Sequence, residues 1–223
     1  MADPQRSGVS ANAAPETLCI TAGSFVQNSW LVWDPASRAA VVVDPGEDHG
    51  RILAEAGQRD LKIEAIWLTH AHIDHILGVE AVREATGAPV WLHPDDRRWY
   101  DALPEQGRFF GMLGLPRLAP PEHELVTGET VGLGPFSFTI RHTPGHAPGH
   151  VALVGHGMVI SGDVLFRDSI GRTDLAGADL ATLMESIRRE LLTLPDDTRV
   201  LPGHGPETTI GRERAENPFL RGM

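Results

Sequence analysis

Short apolar runs separated by turn residues set the predicted framework of the chain. Residues 30–33 and 39–43 are strongly apolar and are joined by a turn-forming segment at 34–37, which predicts a β-hairpin. A helix is expected to follow from about Gly50 to Gln58. Residues 62–68 alternate between apolar and polar positions and then close on apolar residues, a pattern typical of a strand with a buried end.

The second half of the chain repeats this scheme. Residues 151–154, a turn at 155–157 and residues 158–160 predict another hairpin. A helix is expected from about Leu180 to Leu192, with Asp179 as its N-cap. Its apolar stripe should pack on a sheet and comprises Leu180, Leu183, Met184, Ile187 and Leu191. The repeated order of elements predicts a pseudo-duplicated architecture.

Residues 94–124 form the least regular part of the chain. Aromatic side chains, among them Trp99, Tyr100, Phe109 and Phe110, are interrupted by several prolines. An irregular apolar insertion can wall a substrate pocket or contact another subunit. The pattern leaves both interpretations open, a pocket wall and a homodimer contact.

Composition predicts one domain. The chain has 223 residues, 41% of them hydrophobic, and no break in composition divides it, so residues 16–223 should form a single domain after a flexible arm at 1–15. No stretch is long enough to span a membrane, and the first residues lack the apolar core of a signal peptide. A single cysteine, Cys19, excludes an intrachain disulfide and favours a cytoplasmic location. The net charge of −11 argues against nucleic acid as a partner.

Metal-binding side chains are concentrated directly after the strand predicted at 62–68. His70, His72, Asp74 and His75 fall within six positions. From a loop at a strand end, His70 and His72 can point toward one ion while Asp74 and His75 reach a second position. Nitrogen and carboxylate ligands without thiolate suit Zn²⁺, Fe or Mn²⁺ in a catalytic site. A histidine-rich solvated turn is the alternative interpretation.

Three further segments each place one candidate ligand after a strand-like run: His146 after residues 136–142, Asp163 after 158–160, and His204 after 199–201. A glycine lies beside each of these ligands and permits close approach of the backbone. If the strands share one end of a sheet, the four loops converge.

Together these residues resemble the metallo-β-lactamase superfamily of metallohydrolases, over about residues 17–218. The resemblance implies an α/β fold, the αβ/βα four-layer sandwich, in which two facing mixed β-sheets are flanked by helices. It also implies two divalent metal ions, Zn²⁺ first, with Fe or Mn as alternatives. Carried over by position, His70, His72 and His146 would bind the first ion, Asp74, His75 and His204 the second, and Asp163 would bridge them.

Residues 162–175 and 201–211 are similar to the glyoxalase II branch of this superfamily, and more narrowly to its short single-domain members. Two-domain glyoxalases carry a basic C-terminal helical domain that holds glutathione, whereas this chain ends at Met223, so weak glutathione binding is expected. The resemblance implies hydrolysis of a small thioester resembling S-lactoylglutathione. The nucleophile would be a metal-bridging hydroxide, with the pKa of the bridging water lowered toward about 7, and Asp74 would orient it as the catalytic residue.

Other functions stay open on the sequence. A persulfide dioxygenase would use one Fe²⁺ held by His70, His146 and Asp163 and has a Gly-Arg-Thr-Asp element like residues 171–174. The segment 202–205 favours the binuclear hydrolase instead. These motifs do not distinguish a lactonase from a thioester hydrolase. A non-catalytic scaffold would be expected to have lost some of the metal ligands.

Four residues outside the ligand set have competing interpretations. His150 is either a structural histidine or a group that orients another side chain of the site. Asp44 either starts a turn or accepts a hydrogen bond from a ligand imidazole. Arg172 and Asp174 are expected to form an ion pair that braces their loop, in preference to Arg172 meeting a substrate carboxylate.

Overall fold

The computed structural model describes residues 14–221, and a mixed six-stranded sheet forms its first half. The arm predicted at 1–15 lies, for residues 1–13, outside the described residues. β1 and β3 flank β2 in antiparallel fashion, and β3 to β6 run parallel. In spatial order the strands are β1 (Glu16–Ala22), β2 (Gln27–Trp33), β3 (Ala39–Val43), β4 (Lys62–Trp67), β5 (Val90–Leu92) and β6 (His123–Glu124).

The second half forms another six-stranded sheet, again mixed. Its spatial order is β14 (Thr208–Thr209), β13 (Arg199–Pro202), β10 (Met158–Gly162), β9 (Val151–Gly155), β8 (Phe136–His142) and β7 (Thr130–Leu133). Only the β10 and β13 pair is parallel. A two-stranded ribbon of β11 (Leu165–Phe166) and β12 (Ser169–Ile170) follows β10. Both predicted hairpins, β2 with β3 and β9 with β10, are confirmed.

Helices cover the outer faces of the two sheets. In chain order they are α1 (His49–Gln58), α2 (Ile73–Ile76), α3 (Val79–Thr86), α4 (Arg97–Asp101), α5 (Leu103–Phe109), α6 (Leu180–Ser186) and α7 (Ile210–Glu216), with a 3₁₀ turn at Pro94–Asp96 and a π-helical turn at Ile187–Leu191. Among the described residues, no helix is both long and apolar enough to cross a membrane.

Three apolar clusters define the layers. Ile52 of α1 and Val82 of α3 pack on the outer face of the first sheet. Trp67 and Phe138 meet between the sheets, with ring centroids 5.7 Å apart. Leu183 of α6 belongs to a third cluster outside the second sheet. This helix, sheet, sheet, helix order confirms the predicted αβ/βα four-layer sandwich.

The helix predicted at 180–192 differs from expectation at both ends: it is α-helical over Leu180–Ser186, continues as a π-helical turn at Ile187–Leu191, and leaves its first residue exposed. Asp179 caps it as predicted, accepting hydrogen bonds from the backbone N and the Oγ1 of Thr182 at 2.7 and 2.6 Å. The stripe is correct at the buried Leu183, Ile187 and Leu191 and at the partly buried Met184, but Leu180 is 52% exposed. Leu180 is the first residue of the helix and therefore lies at the end of the stripe.

The topology brings several strand ends to one edge of the molecule. Parallel β3 and β4 end beside Asp44 and the loop 68–72, and parallel β10 and β13 end beside Asp163 and Gly203. Because parallel strands have their carboxyl ends at the same edge, the loops that follow them lie close together. The candidate site lies where these loops meet.

Candidate metal centre

Three of the predicted ligands form a first group. His70, His72 and His146 each offer one ring nitrogen, and these three atoms lie within 4.8 Å of one another. Nδ1 of His72 and Nε2 of His146 are 2.8 Å apart. All three side chains are buried. The structure therefore brings together the set assigned to the first metal position.

Asp74, His75 and His204 form a second group with the same spacing limit. Oδ2 of Asp74 lies 3.1 Å from Nε2 of His204 and 3.6 Å from Nε2 of His75. Asp74 and His75 come from α2, whereas His204 follows β13. One short helix thus supplies two of the three side chains.

Asp163 lies between the two groups. Its Oδ1 is 3.4 Å from Nε2 of His75, and its Oδ2 is 3.5 Å from Nε2 of His146 and 3.4 Å from Nε2 of His204. The carboxylate thus contacts members of both sets, as a bridging ligand must. All seven predicted side chains converge, and their role as metal ligands stays a prediction.

Asp44 and Thr69 orient two of the imidazoles. Oδ2 of Asp44 lies 3.0 Å from Nδ1 of His75 and accepts a hydrogen bond from Oγ1 of Thr69 at 2.6 Å. Because that hydroxyl donates to Asp44, it accepts from Nδ1 of His70 at 3.0 Å. Both imidazoles therefore hold a proton on Nδ1 and turn Nε2 toward the centre, as metal-ligating histidines with such partners do. Of the two interpretations of Asp44, the hydrogen-bond acceptor is correct.

His150 orients the backbone of Asp163. Its Nε2 accepts the backbone N–H of Asp163 at 3.0 Å, so the neutral ring carries its proton on Nδ1 and donates to Oγ1 of Thr143 at 2.9 Å. Burial, with His146 close by, lowers the pKa of His150 well below its usual range, and the ring is neutral at pH 7. His150 thus positions another residue of the site, one of the two roles open to it.

Burial and mutual repulsion keep the first group neutral. Burial and the nearby His146 lower the pKa of His72 to about 3, and burial with the neighbouring histidines lowers the pKa of His70 well below its usual range. His75, a member of the second group, behaves differently. Burial lowers its pKa, but Asp163, Asp74 and Asp44 outweigh that effect and raise it well above the usual range. The neutral imidazoles of the first group offer lone pairs, and the carboxylates around His75 supply negative charge. Both are features that a cation site requires.

The unpaired atoms of the centre fit divalent metal ions. Within residues 14–221, Nε2 of His70, Nε2 of His75 and Oδ1 of Asp163 are buried and lack a hydrogen-bond partner. Such atoms are costly to bury unless a ligand pairs with them. Three orphaned ligand atoms in one cluster of nitrogen and carboxylate donors therefore suggest divalent metals.

Gly203 is required by close packing against the cluster. A Cβ at this position would collide with Oδ1 of Asp163 and would lie 2.7 Å from Cε1 of His75. No side chain can be accommodated there without displacing the carboxylate between the two groups. The glycine next to His204 thus has a steric reason that the sequence only suggested.

The cluster lies at the floor of a cavity of about 620 Å³. His72, Asp74, His146, Asp163 and His204 all line it. Residues from the irregular segment 94–124 form one wall: Trp99, Ala102, Glu105, Gln106, Phe109 and Phe110. The structure therefore places this segment at the pocket, one of the two locations expected for it.

Asp96 and Gln106 were missed by the sequence reasoning. Asp96 is fully buried and accepts the backbone N–H groups of Ala71 at 2.8 Å and Gly149 at 2.6 Å, so it ties two ligand loops together. The Gln106 amide donates to the carbonyls of Ala71 and Trp99 and accepts from the backbone N of Ile73, at 2.9–3.0 Å. No local signal singled them out, because segment 94–124 contains many other polar and charged residues.

Arg172 forms the predicted brace with Asp174. Its guanidinium makes two hydrogen bonds to the carboxylate, at 2.7 and 2.9 Å. The backbone carbonyl of Arg172 accepts a hydrogen bond from Nδ1 of His146 at 2.8 Å, which leaves Nε2 of that ring for the centre. The loop after Asp163 therefore orients a third imidazole.

A four-layer sandwich with histidines and carboxylates gathered at its strand ends defines a class, the metal-dependent hydrolases of this architecture. The family model described as the metallo-beta-lactamase superfamily matches residues 22–204. The chain belongs to the metallo-β-lactamase superfamily.

Similar proteins share almost the whole chain. Hydroxyacylglutathione hydrolase GloC of Haemophilus influenzae is 38% identical over 208 residues, covering 92% of this chain and 97% of the relative. Among solved structures, BLEG-1 B3 metallo-beta-lactamase has a TM-score of 0.87 at 40% identity, covering 93% of this chain and all of that one. TTHA1623, solved in a di-iron-bound form, has a TM-score of 0.83 at 42% identity, covering 91% of this chain and 100% of that one.

Proposed function

We propose that the protein is a thioester hydrolase of the glyoxalase II type that uses two divalent metal ions. The observation that carries this proposal is the cluster of nitrogen and carboxylate donors at the floor of the cavity, in which buried atoms of His70, His75 and Asp163 lack a hydrogen-bond partner. His70, His72 and His146 would hold one ion, Asp74, His75 and His204 the other, and Asp163 both. Bound divalent ions supply Lewis acidity, which lowers the pKa of water and polarises an acyl carbonyl.

Asp74 is assigned the role of accepting a proton from the attacking water. Burial raises the pKa of its carboxyl group, but His75 and His204 outweigh that effect and lower it below the usual value, so the group is ionised at pH 7. The carboxylate also lines the cavity. An ionised carboxylate at this place can accept a proton and cannot serve as a general acid.

The reaction balances without a dedicated acid. Water adds its oxygen to the thioester carbonyl carbon and gives one proton to Asp74. The C–S bond then breaks and the thiolate leaves with the electron pair. Asp74 releases its proton to solvent and the thiolate takes one from solvent, so the products are a carboxylic acid and a thiol. A thiolate leaves readily because the pKa of thiols is near 8.5, whereas an amine would need protonation first. The site therefore suits thioesters better than amides.

Three similar proteins bear on the substrate and the metal. The relative GloC is named for a hydroxyacylglutathione hydrolase, which supports a thioester as the substrate class. BLEG-1 is named for a B3 metallo-β-lactamase, which makes β-lactam hydrolysis the second candidate. TTHA1623 was solved with two irons, so iron belongs beside zinc among the metals to be tested.

The test is hydrolysis of S-lactoylglutathione by protein loaded with Zn²⁺, Fe²⁺ or Mn²⁺, with a chromogenic trap for the released thiol. We expect metal-dependent release in the wild type and a loss of at least about a hundredfold in Asp74→Asn, the scale of general base catalysis. Asp95→Asn is the control, because Asp95 is exposed and outside the cavity lining.

Two results would overturn the proposal. Cleavage of a chromogenic cephalosporin without cleavage of any thioester would assign the protein to β-lactam hydrolysis. Oxygen consumption with glutathione persulfide, again without thioester cleavage under any metal, would assign it to the persulfide dioxygenases.

A further inference from the structure

The cavity above the candidate metal centre is walled by aromatic and aliphatic side chains. The rings of Phe25 and Phe110 lie edge to face with centroids 5.1 Å apart, and Phe109 meets Phe110 at the same distance and nearly the same angle. Together they form a row of three aromatic rings across the cavity wall.

This apolar wall continues to the ligand rings themselves. The ring of Trp99 lies 6.3 Å from that of His72, and the ring of Phe166 lies 5.9 Å from that of His204. A substrate whose reacting carbonyl lies at the centre must therefore place its neighbouring atoms against aromatic surface. Water is displaced from that surface when an apolar group covers it, which favours binding.

Charged groups in the wall are already paired. Apart from the predicted metal ligands, the described lining contains one acidic and one basic side chain, Glu105 and Arg172. Glu105 pairs with Arg108 at 2.9 Å and with Arg117 at 3.7 Å. Arg172 is held by Asp174 through two hydrogen bonds. The described part of the wall thus offers an anionic substrate no uncommitted cation, and the net charge of −11 adds repulsion.

Exposed aromatic surface at the mouth has no partner within the described chain. Phe109 is 81% exposed and Phe110 is 42% exposed, although both line the cavity. Large apolar side chains exposed together at a cavity mouth mark a binding surface. Leu113, in the same segment and 80% exposed, lies outside the lining.

We propose that the cavity takes the uncharged, apolar acyl group of a thioester, and that Phe109 at the cavity mouth sets the preference for longer acyl groups. This inference rests on the proposed thioester hydrolase activity and specifies its substrate class. Glutathione, which carries two carboxylates, is then a poorer thiol carrier than a neutral thiol. Phe25, Phe109 and Phe110 line the cavity together and Phe109 is the most exposed of them, so added methylenes that reach toward the mouth contact more aromatic surface.

The experiment uses N-acetylcysteamine thioesters of acetate, butanoate and hexanoate on the metal-loaded full-length chain. Burial of one methylene is worth about 0.8 kcal/mol, or about fourfold, so kcat/KM should rise about fourfold per methylene until the cavity is filled. S-lactoylglutathione should be cleaved less efficiently than the hexanoyl substrate. In Phe109→Ala the hexanoyl to acetyl ratio should fall at least about threefold, whereas Leu113→Ala should retain the wild-type ratio.

A binding measurement separates this inference from the proposed reaction. Ketone analogues, with CH₂ in place of sulfur, are titrated calorimetrically into the wild type and both variants. Tighter binding with chain length, reduced in Phe109→Ala only, supports the apolar cavity even if no thioester is cleaved, an outcome that would refute the proposed function alone. Cleavage of S-lactoylglutathione with no gain from chain length in either measurement would overturn the inference and leave the proposed function intact. Equal effects of Phe109→Ala and Leu113→Ala would also overturn it.

Discussion

Replacing Asp44 with asparagine should turn the Nε2 of His75 from a metal ligand into an N–H donor. The carboxylate accepts three hydrogen bonds, from the backbone N of Thr69 at 2.7 Å, from its hydroxyl at 2.6 Å and from Nδ1 of His75 at 3.0 Å. Asparagine keeps the shape and tolerates the left-handed backbone at this position, where φ is 51°. Its amide, however, replaces one acceptor oxygen with a donor.

The tautomer of His75 then has to change. The backbone N–H of Thr69 is a fixed donor, so the amide oxygen takes that partner and the NH₂ group faces His75. Nδ1 becomes an acceptor and the proton moves to Nε2, the atom that lies 3.4 Å from Asp163. Loss of such an outer partner costs about 10- to 100-fold in metal affinity, or about 1.4–2.7 kcal/mol.

Folding stability should fall as well. The charge-assisted hydrogen bond that is lost contributes about 1.5–3 kcal/mol, which lowers Tm by about 3–12 °C for a chain of this size. Thermal unfolding of metal-free protein measures this cost without a contribution from metal binding. Metal affinity is measured by competition with a chromogenic chelator, and stoichiometry by elemental analysis after dialysis.

Asp34→Asn is the matched control for Asp44→Asn. Asp34 is also a buried carboxylate of the same hairpin and also accepts three hydrogen bonds, from Ala36 and Ser37, but it contacts no imidazole of the centre. The Asp34→Asn variant should lower Tm by about as much as Asp44→Asn and leave metal affinity unchanged. Unchanged metal affinity in Asp44→Asn, or an equal loss in the control, would refute the tautomer argument.

Three further predictions concern Asp163, Asp96 and Gln106. Asp163→Ala should lower the metal bound per chain from two toward one or none by elemental analysis, and unchanged stoichiometry would argue against a bridging carboxylate. Burial raises the pKa of Asp96 to about 6. Between about pH 4 and 6 the folded protein therefore keeps a proton on Asp96 that the unfolded protein has lost. The stability that Asp96 contributes is lost as pH rises through this window. Urea unfolding should find the stability of wild type relative to Asp96→Asn about 2 kcal/mol greater at pH 4 than at pH 7, and a pH-independent difference would contradict the assignment. Gln106→Ala should cost about 1–3 kcal/mol of unfolding free energy and speed amide exchange at Ile73, whose N–H loses its acceptor; normal protection at that amide would show that the contact does not hold the loop.

The fold and the convergence of the loops could be predicted because their signals are local. Apolar runs ending in His, Asp and Gly mark strand ends, and parallel strands bring those ends together. Asp44 and His150 had two interpretations each, because a hydrogen-bond partner 31 residues away, as for Asp44 and His75, leaves no local pattern.

The contributions of Asp96 and Gln106 could not be predicted for the same reason. Asp96 meets a backbone amide 53 residues away at Gly149, and Gln106 meets one 33 residues away at Ile73. Backbone N–H groups are present at every non-proline residue, so a sequence does not reveal which of them a distant side chain will bind. The exposure of Leu180 is a different case, in which helical periodicity was correct but did not reveal that the first residue of the helix is exposed.

Segment 94–124 couples the apolar cavity to the candidate metal centre. Gln106 holds the ligand loop at Ala71 and Ile73, and on the same helix Phe109 lines the cavity mouth. A bound group that shifts this helix must therefore strain the hydrogen bonds that position His72 between those two backbone contacts. Substitutions that enlarge the cavity by moving α5 should weaken metal binding, whereas truncation of Phe109 alone, which leaves Gln106 in place, should alter substrate preference without doing so.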